Sequence, residues 1–165
     1  GGTGKSPMIE DLLRKLTYKN IAVLSRGYKR STDGFLLLNV KEKAIQTGDE
    51  PLQFKNKFTE VMVAVDADRT NGIAELRKKH AEIVLLDDAF QHRKVKAGFN
   101  ILLTAYGDLY ADDFLLPTGN LRETYSGADR AQVIIVTKCP QNITLKEREH
   151  IRFKLQIKQY QNLFV

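Results

Sequence analysis

The sequence predicts an α/β fold, a mostly parallel sheet flanked by helices, and three observations lead there. Short apolar runs recur at residues 21–24, 61–65, 83–86, 100–104 and 132–137, each of a length suited to a strand buried on both faces. Segments with helical spacing separate several of these runs, as parallel strands require of their crossover connections. A glycine-rich opening, Gly1, Gly2, Thr3 and Gly4, leads directly into a segment that places Ile9, Leu12, Leu13 and Leu16 on one helical face.

The elements follow in order. After the first helix, residues 21–24 form a buried strand that ends at the polar stretch Ser25, Arg26, Gly27, Tyr28, Lys29 and Arg30. Residues 35–38 and 43–46 read as a hairpin or as two short irregular strands. From Gly48 the rhythm is regular: a helix near 50–58, a strand at 61–65, a helix near 69–80 and a strand at 83–86. Strands at 100–104 and 132–137 precede a basic helix near 144–158, and residues 162–165 read as the start of another strand. No repeat, low-complexity tract or linker interrupts the chain, so residues 1–165 are expected to form a single core. The opening lies inside a loop with no strand before it, and the first residue is not Met. The expectation is therefore a core cut at both ends, missing its first strand and its C-terminal part.

With 165 residues and 42% hydrophobic content the chain can bury a sizeable core, which argues against disorder. A formal net charge of +6 favours an anionic partner: nucleic acid, an anionic membrane surface or a phosphorylated small molecule. Basic residues such as Arg77, Lys78, Lys79, Lys146, Arg148 and Lys154 read as solvated helix faces, so no nucleic-acid partner is expected. The single cysteine, Cys139, excludes an internal disulfide or a multi-cysteine metal site and suits a reducing compartment. No apolar run approaches the roughly 20 residues that span a bilayer, which leaves peripheral attachment open.

The chemistry-bearing segments sit at the ends of these elements. Gly1, Gly2, Thr3, Gly4, Lys5 and Ser6 match the second half of a Walker A loop, in which backbone N–H groups close around phosphates, a lysine reaches the β/γ-phosphates and a hydroxyl meets Mg²⁺. Alone, the same hexapeptide is also a flexible stretch or a capping turn before Pro7. Residues 83–86 followed by Asp87 and Asp88 have the Walker B form, an apolar strand delivering carboxylates to the metal; an exposed turn or an N-cap is the plainer reading. Asp49, between Gly48 and Pro51, is either a helix cap or the carboxylate that accepts a proton during phosphoryl transfer. Gln91 suits a metal-bound water and Arg93 a phosphate, while His92 fits a structural as well as a catalytic role. Arg122 suits a transferring phosphoryl group and Glu123 a metal shell, unless the two are a surface pair opening a helix.

Taken in order, the segments Gly1 to Pro7, Ser25 to Tyr28, Gly48 to Pro51, Asp87 to Arg93 and Leu116 to Glu123 resemble the tetraacyldisaccharide 4'-kinase family, from the first residue to about Lys138. The resemblance implies a P-loop kinase fold, with ATP and Mg²⁺ as cofactors. It further implies transfer of the γ-phosphate to the 4'-hydroxyl of a tetraacylated glucosamine disaccharide, the lipid A precursor of lipopolysaccharide biosynthesis. The implied place is the cytoplasmic face of the inner membrane, peripherally on an anionic surface. By the same resemblance Gly1, Gly2, Thr3, Gly4, Lys5 and Ser6 bind ATP, Asp49 is the base and Arg122 meets the phosphate. Ser6, Asp87, Asp88, Gln91 and Glu123 surround Mg²⁺. In the family a histidine outside this region partners the base and an amphipathic N-terminal helix aids membrane binding, so little turnover is expected of this segment alone. The oligomeric state is left open.

Departures from the family pattern are Ala89 in place of glycine, Lys29 after Gly27 and Tyr28, and Thr118 and Asn120 in the later loop. The methyl group of Ala89 matters if that position needs a positive φ. The rival reading is a P-loop switch ATPase of the partitioning or metal-insertion type, which uses a similar loop.

Overall fold

The computed structural model describes residues 2–17, 20–28, 30–39, 44–119 and 121–165. These form two compact units: Lys5–Val95, and Gly1–Gly4 together with Lys96–Val165. Each has its own sheet, so the expected α/β class with parallel strands and flanking helices holds, with its strands distributed over two sheets.

In the first unit the sheet order is β2 (Leu36–Leu37), β3 (Met62–Val65), β1 (Ile21–Ser25) and β4 (Ile83–Leu86). β1 is central and all five of its residues are buried. It runs parallel to both neighbours, with Val23 opposite Val63 on one side and Leu85 on the other; β2 is antiparallel to β3. Alternation along β1 feeds two cores. Ile21 and Val23 pack with Ile9 and Leu13 of helix α1 (Lys5–Lys15) and with Phe54 of a helix following Gly48, while Ala22 and Leu24 pack with Ala64 and Leu76. A strand covered on both faces has no polar side to show, which is why it reads as an unbroken apolar run.

The region before Gly48 departs from expectation. Residues 44–47 form a short helix, α2 (Ala44–Thr47), instead of a strand, and Lys43 lies outside the described residues. The cause is tertiary: Ser31 N–H donates to the Ile45 carbonyl at 2.9 Å and Thr32 Oγ1 to the Gln46 carbonyl at 2.7 Å, so neither carbonyl is available to a strand partner. Helix α3 (Asp49–Lys57) follows at once, separated from α2 by Gly48 at φ 89°.

Helix α4 (Arg69–Lys78) begins at Asp68, whose carboxylate accepts from Thr70 N–H at 2.9 Å and Asn71 N–H at 3.3 Å. It ends two residues short of the expected boundary. His80 turns left-handed (φ 63°), His80 N–H donates to Arg77 and Ala81 N–H to Leu76, the bond pattern of a Schellman motif. His80 is thus the stop of a helix, as its surface position suggests.

The second unit carries the parallel sheet β5 (Ile101–Ala105), β6 (Val133–Thr137) and β7 (Asn162–Phe164), with β6 central. Helix α5 (Leu145–Lys154) starts with a capping box, Thr144 and Glu147 each bonding the other's backbone. It too stops early, at a second Schellman motif: Gln156 has φ 48°, and Gln156 and Ile157 donate to the carbonyls of Phe153 and Arg152. Its end is tied down by Tyr125 Oη to the Lys154 carbonyl at 2.9 Å and by Lys154 Nζ to Asp112 at 2.6 Å.

Gly72 of α4 stands close against the sheet, since a Cβ there would lie 2.8 Å from Leu24 and 3.1 Å from Asp66 Cβ. On an open helix face glycine to alanine gains close to 1 kcal/mol. Here overpacking dominates, and Gly72→Ala is expected to destabilise by about 1 to 3 kcal/mol in urea unfolding. A stabilised variant would show that the helix has room to withdraw.

Candidate active site

The phosphate loop is built on backbone conformation. Gly2 and Gly4 have φ of 92° and 89°, values that an L side chain resists, and α1 starts at Lys5 immediately afterwards. The first turn of a helix leaves N–H groups without intrahelical acceptors, and together with the helix dipole they favour an anion. Within the second unit the loop is held by β6: Thr137 Oγ1 donates to the Thr3 carbonyl at 2.9 Å. Gly1 lies outside the described residues.

Within the first unit the ends of α1, α3, β1 and β4 converge. Lys5 Nζ lies 3.4 Å from Asp88 Oδ1, Ser6 Oγ donates to Glu50 Oε1 at 2.7 Å, and Ser25 Oγ donates to Asp87 Oδ2 at 3.0 Å. Arg69, 3% exposed, donates from Nη2 to the Asp87 carbonyl at 3.2 Å, while its Nε is buried without a partner. Asp88 adopts φ 46°, a conformation that aspartate tolerates better than most residues. Ala89 is not among the positive-φ residues, so its methyl group imposes no backbone strain.

Asp87 is 5% exposed. Burial pushes its carboxyl above the ordinary range, the nearby Glu50 charge adds to the rise, and the Ser25 hydrogen bond opposes it. Asp88 raises it further and Lys5 lowers it. A carboxylate kept in such a place is suited to a cation. Among the described residues no group of three or more His, Cys, Asp or Glu side chains is arranged to hold a metal alone. The carboxylates present, Asp87 and its neighbour Asp88, are donors of the kind Mg²⁺ takes, one or two from the protein with water and substrate phosphate oxygens completing the shell.

The other expected residues are placed as follows. Asp49 is the first helical residue of α3 and is exposed; Gly48 occupies the cap position, with no side-chain cap bond. Gln91 is exposed in the tight turn after Asp88, closed by His92 N–H to the Ala89 carbonyl at 2.8 Å, and His92 Nε2 is buried without a hydrogen-bond partner. In the second unit, Arg122 is exposed and Glu123 accepts from Arg130 Nη2 at 2.7 Å. Both follow a turn closed by Leu116 N–H to the Leu121 carbonyl, and the Leu116–Pro117 peptide is cis. Lys29 and Asn120 lie outside the described residues.

Three residues of the first-unit cluster, and one that holds the loop in the second unit, carry no signal that singles them out in the sequence. Ser25 and Glu50 stand inside notable segments but read there as flanks. Arg69 sits in an ordinary helix start, and Thr137 closes an ordinary strand. Their partners are 62, 44, 18 and 134 positions away.

Comparison with known proteins identifies the family. Residues 1–164 match the family described as LpxK, tetraacyldisaccharide-1-P 4'-kinase. The curated tetraacyldisaccharide 4'-kinase of Flavobacterium johnsoniae is 57% identical over 99% of this chain and 49% of its own length. That of Bacteroides fragilis is 50% identical over 99% and 45%. The chain thus spans about half the length of these relatives. Among solved structures, LpxK from Aquifex aeolicus in complex with ATP superposes with a TM-score of 0.73 at 36% identity, covering 88% of this chain and 48% of that one.

The raised carboxyl of Asp87 has a thermodynamic sign. The folded state holds this proton more tightly than the unfolded chain, so its contribution to stability is present at low pH and declines as pH rises from the ordinary value of 3.8 through the folded one. Asp87→Asn is therefore expected to raise the thermal midpoint of the metal-free protein at pH 8, with a smaller gain at pH 4. With Mg²⁺ and ATP added the order should reverse. Equal midpoints at both pH values without metal would remove the electrostatic argument.

Proposed function

Since the chain belongs to the tetraacyldisaccharide-1-P 4'-kinase family, we propose that it forms the nucleotide-binding core of a lipid A precursor kinase. In that reaction the γ-phosphate of ATP moves to the 4'-hydroxyl of a tetraacylated disaccharide 1-phosphate. The observation that carries the reading is the meeting of Lys5 and Ser6, from the phosphate loop, with Asp88 and Glu50. The whole span 1–165 is proposed to serve this one task.

The residues divide the work by chemistry. Backbone N–H groups of residues 1–6 receive the phosphates, and Lys5 exchanges Asp88 for a phosphate oxygen. Ser6, Asp87 and Asp88 are proposed metal ligands, with Glu50 beside Ser6, and Gln91 and Glu123 are assigned to the outer shell. Mg²⁺, when bound, neutralises charge on the β- and γ-oxygens. Asp49 accepts the proton of the sugar hydroxyl as its oxygen bonds to phosphorus and the bond to ADP breaks. Arg122 stabilises the charge on the phosphoryl group in flight.

No helix among the described residues is long and apolar enough to cross a membrane. The proposed place is the cytoplasmic face of the inner membrane, held peripherally with help from the net charge of +6 on an anionic surface.

The test is Mg-ATP-dependent phosphate transfer to a tetraacyl disaccharide 1-phosphate by the full-length protein. Asp49→Ala is expected to lower kcat by roughly 100-fold or more with little change in the KM for ATP. Lys5→Ala should chiefly weaken ATP binding. Transfer that survives Asp49→Ala would return Asp49 to a structural role at the start of α3. ATP hydrolysis with no transfer by the wild type would instead favour a switch ATPase.

A further inference from the structure

Helices α1 and α3 are joined by a polar seam that runs down from the site. Ser6 donates to Glu50 at its upper end. One turn further along α1, Glu10 Oε1 accepts from Lys57 Nζ at 2.7 Å and from Gln53 Nε2 at 3.4 Å. Arg14, the next turn down, donates from Nη2 to Glu10 Oε2 at 3.1 Å and holds its guanidinium 5.3 Å from the centroid of the Phe58 ring. Residues 6, 10 and 14 share one face of α1, and residues 50, 53 and 57 share one face of α3, so three successive turns are matched.

Glu10 is the middle of this seam and is 7% exposed, next to the core residues Ile9 and Leu13. Both of its carboxylate oxygens are engaged. The Lys57 hydrogen bond holds its carboxyl below the ordinary range against the opposing effect of burial, with Arg14 assisting. Lys57 and Arg14 are each about half exposed, so these ion pairs contribute only modestly to stability and an apolar pair could replace them at little cost. Register is what a directional pair supplies and an apolar contact does not.

We infer that Glu10 is a positioning residue: by gripping Gln53 and Lys57 it fixes the axial register of α3 against α1, and so delivers Glu50 to Ser6 and sets the height of Asp49 at the start of α3. The inference rests on the phosphoryl-transfer reading. Glu10 itself touches neither phosphate nor metal in this role. It acts through the helix that bears the acidic pair.

The experiment uses the full-length protein, Glu10→Gln, Glu10→Met and the double variant Glu10→Met/Lys57→Met, which replaces the pair with apolar side chains and leaves no buried charge unpaired. Three quantities are read: the thermal midpoint, the Mg²⁺ concentration that half-saturates binding of a fluorescent ATP analogue, and kcat against KM. In the double variant the midpoint should stay close to the wild-type value. Its Mg²⁺ requirement should rise and its kcat fall by roughly tenfold to a hundredfold, the range seen when groups that orient metal ligands are removed. Analogue binding without Mg²⁺ should hold steady, and Glu10→Gln, which keeps an acceptor for Lys57, should recover much of the loss. Wild-type Mg²⁺ dependence and kcat in the folded double variant would overturn the inference, as would losses that track a lowered midpoint. A wild type that transfers no phosphate would overturn the phosphoryl-transfer reading, and the role of Glu10 with it.

Discussion

Parallel pairing of β1 with β3 and β4 decides which residues can meet. Three strands that run the same way end on the same edge of the sheet, so the positions just past their apolar stretches emerge side by side. Ser25 closes β1, Asp66 follows β3 and Asp87 follows β4. Backbone bonds continue this alignment one residue beyond the strands, from Asp66 N–H to Ser25 and from Asp87 N–H to Leu24. Binding and catalytic groups in open α/β sheets collect outside the carboxyl ends of strands for this reason. The helices then supply what strand ends cannot: a lysine and hydroxyl from the start of α1, and two carboxylates from the start of α3.

Concentrating acidic groups at one edge carries an energetic cost that the surrounding residues only partly offset. Asp87 is buried beside other carboxylates, Arg69 is buried with one nitrogen unpartnered, and Asp88 is held in a left-handed conformation. Elsewhere α4 and α5 are capped and the cores are apolar, and the left-handed His80 and Gln156 serve as helix stops. Local departures of this kind gather where a ligand is meant to complete the structure. Under the proposed function, a divalent cation and a phosphate chain would relieve the carboxylates crowded at this edge.

The sequence made the central elements legible because burial on both faces leaves an unmistakable apolar run, as at residues 21–24 and 83–86. Helix ends were harder to read. Both α4 and α5 stop at a left-handed residue that is not glycine, His80 and Gln156, so nothing local marks the stop. Residues 44–47 escaped for a different reason, since the bonds that fold them come from Ser31 and Thr32. Motif spacing singled out Lys5, Ser6, Asp87 and Asp88, and the structure brings Lys5 against Asp88, while the roles of all four stand as proposals. Glu50, Ser25, Arg69 and Thr137 were not singled out, because their meaning lies in partners far along the chain. Asp49, Gln91, Arg122 and Glu123 stood open between a structural and a functional reading until the resemblance favoured the second, and their roles too stand as proposals.

The contact between Lys5 and Asp88 bears on how an anion would be received. The lysine is already neutralised by a carboxylate 3.4 Å away, and both side chains are partly open to solvent. A phosphate arriving there performs an exchange of ion pairs rather than the capture of an idle cation. Added salt screens the pair being broken as well as the pair being made, so the two effects partly cancel. Ionic strength should therefore disturb this encounter less than the basic composition of the chain suggests. Selectivity at that lysine then depends on whether a ligand can also offer the displaced carboxylate a cation of its own.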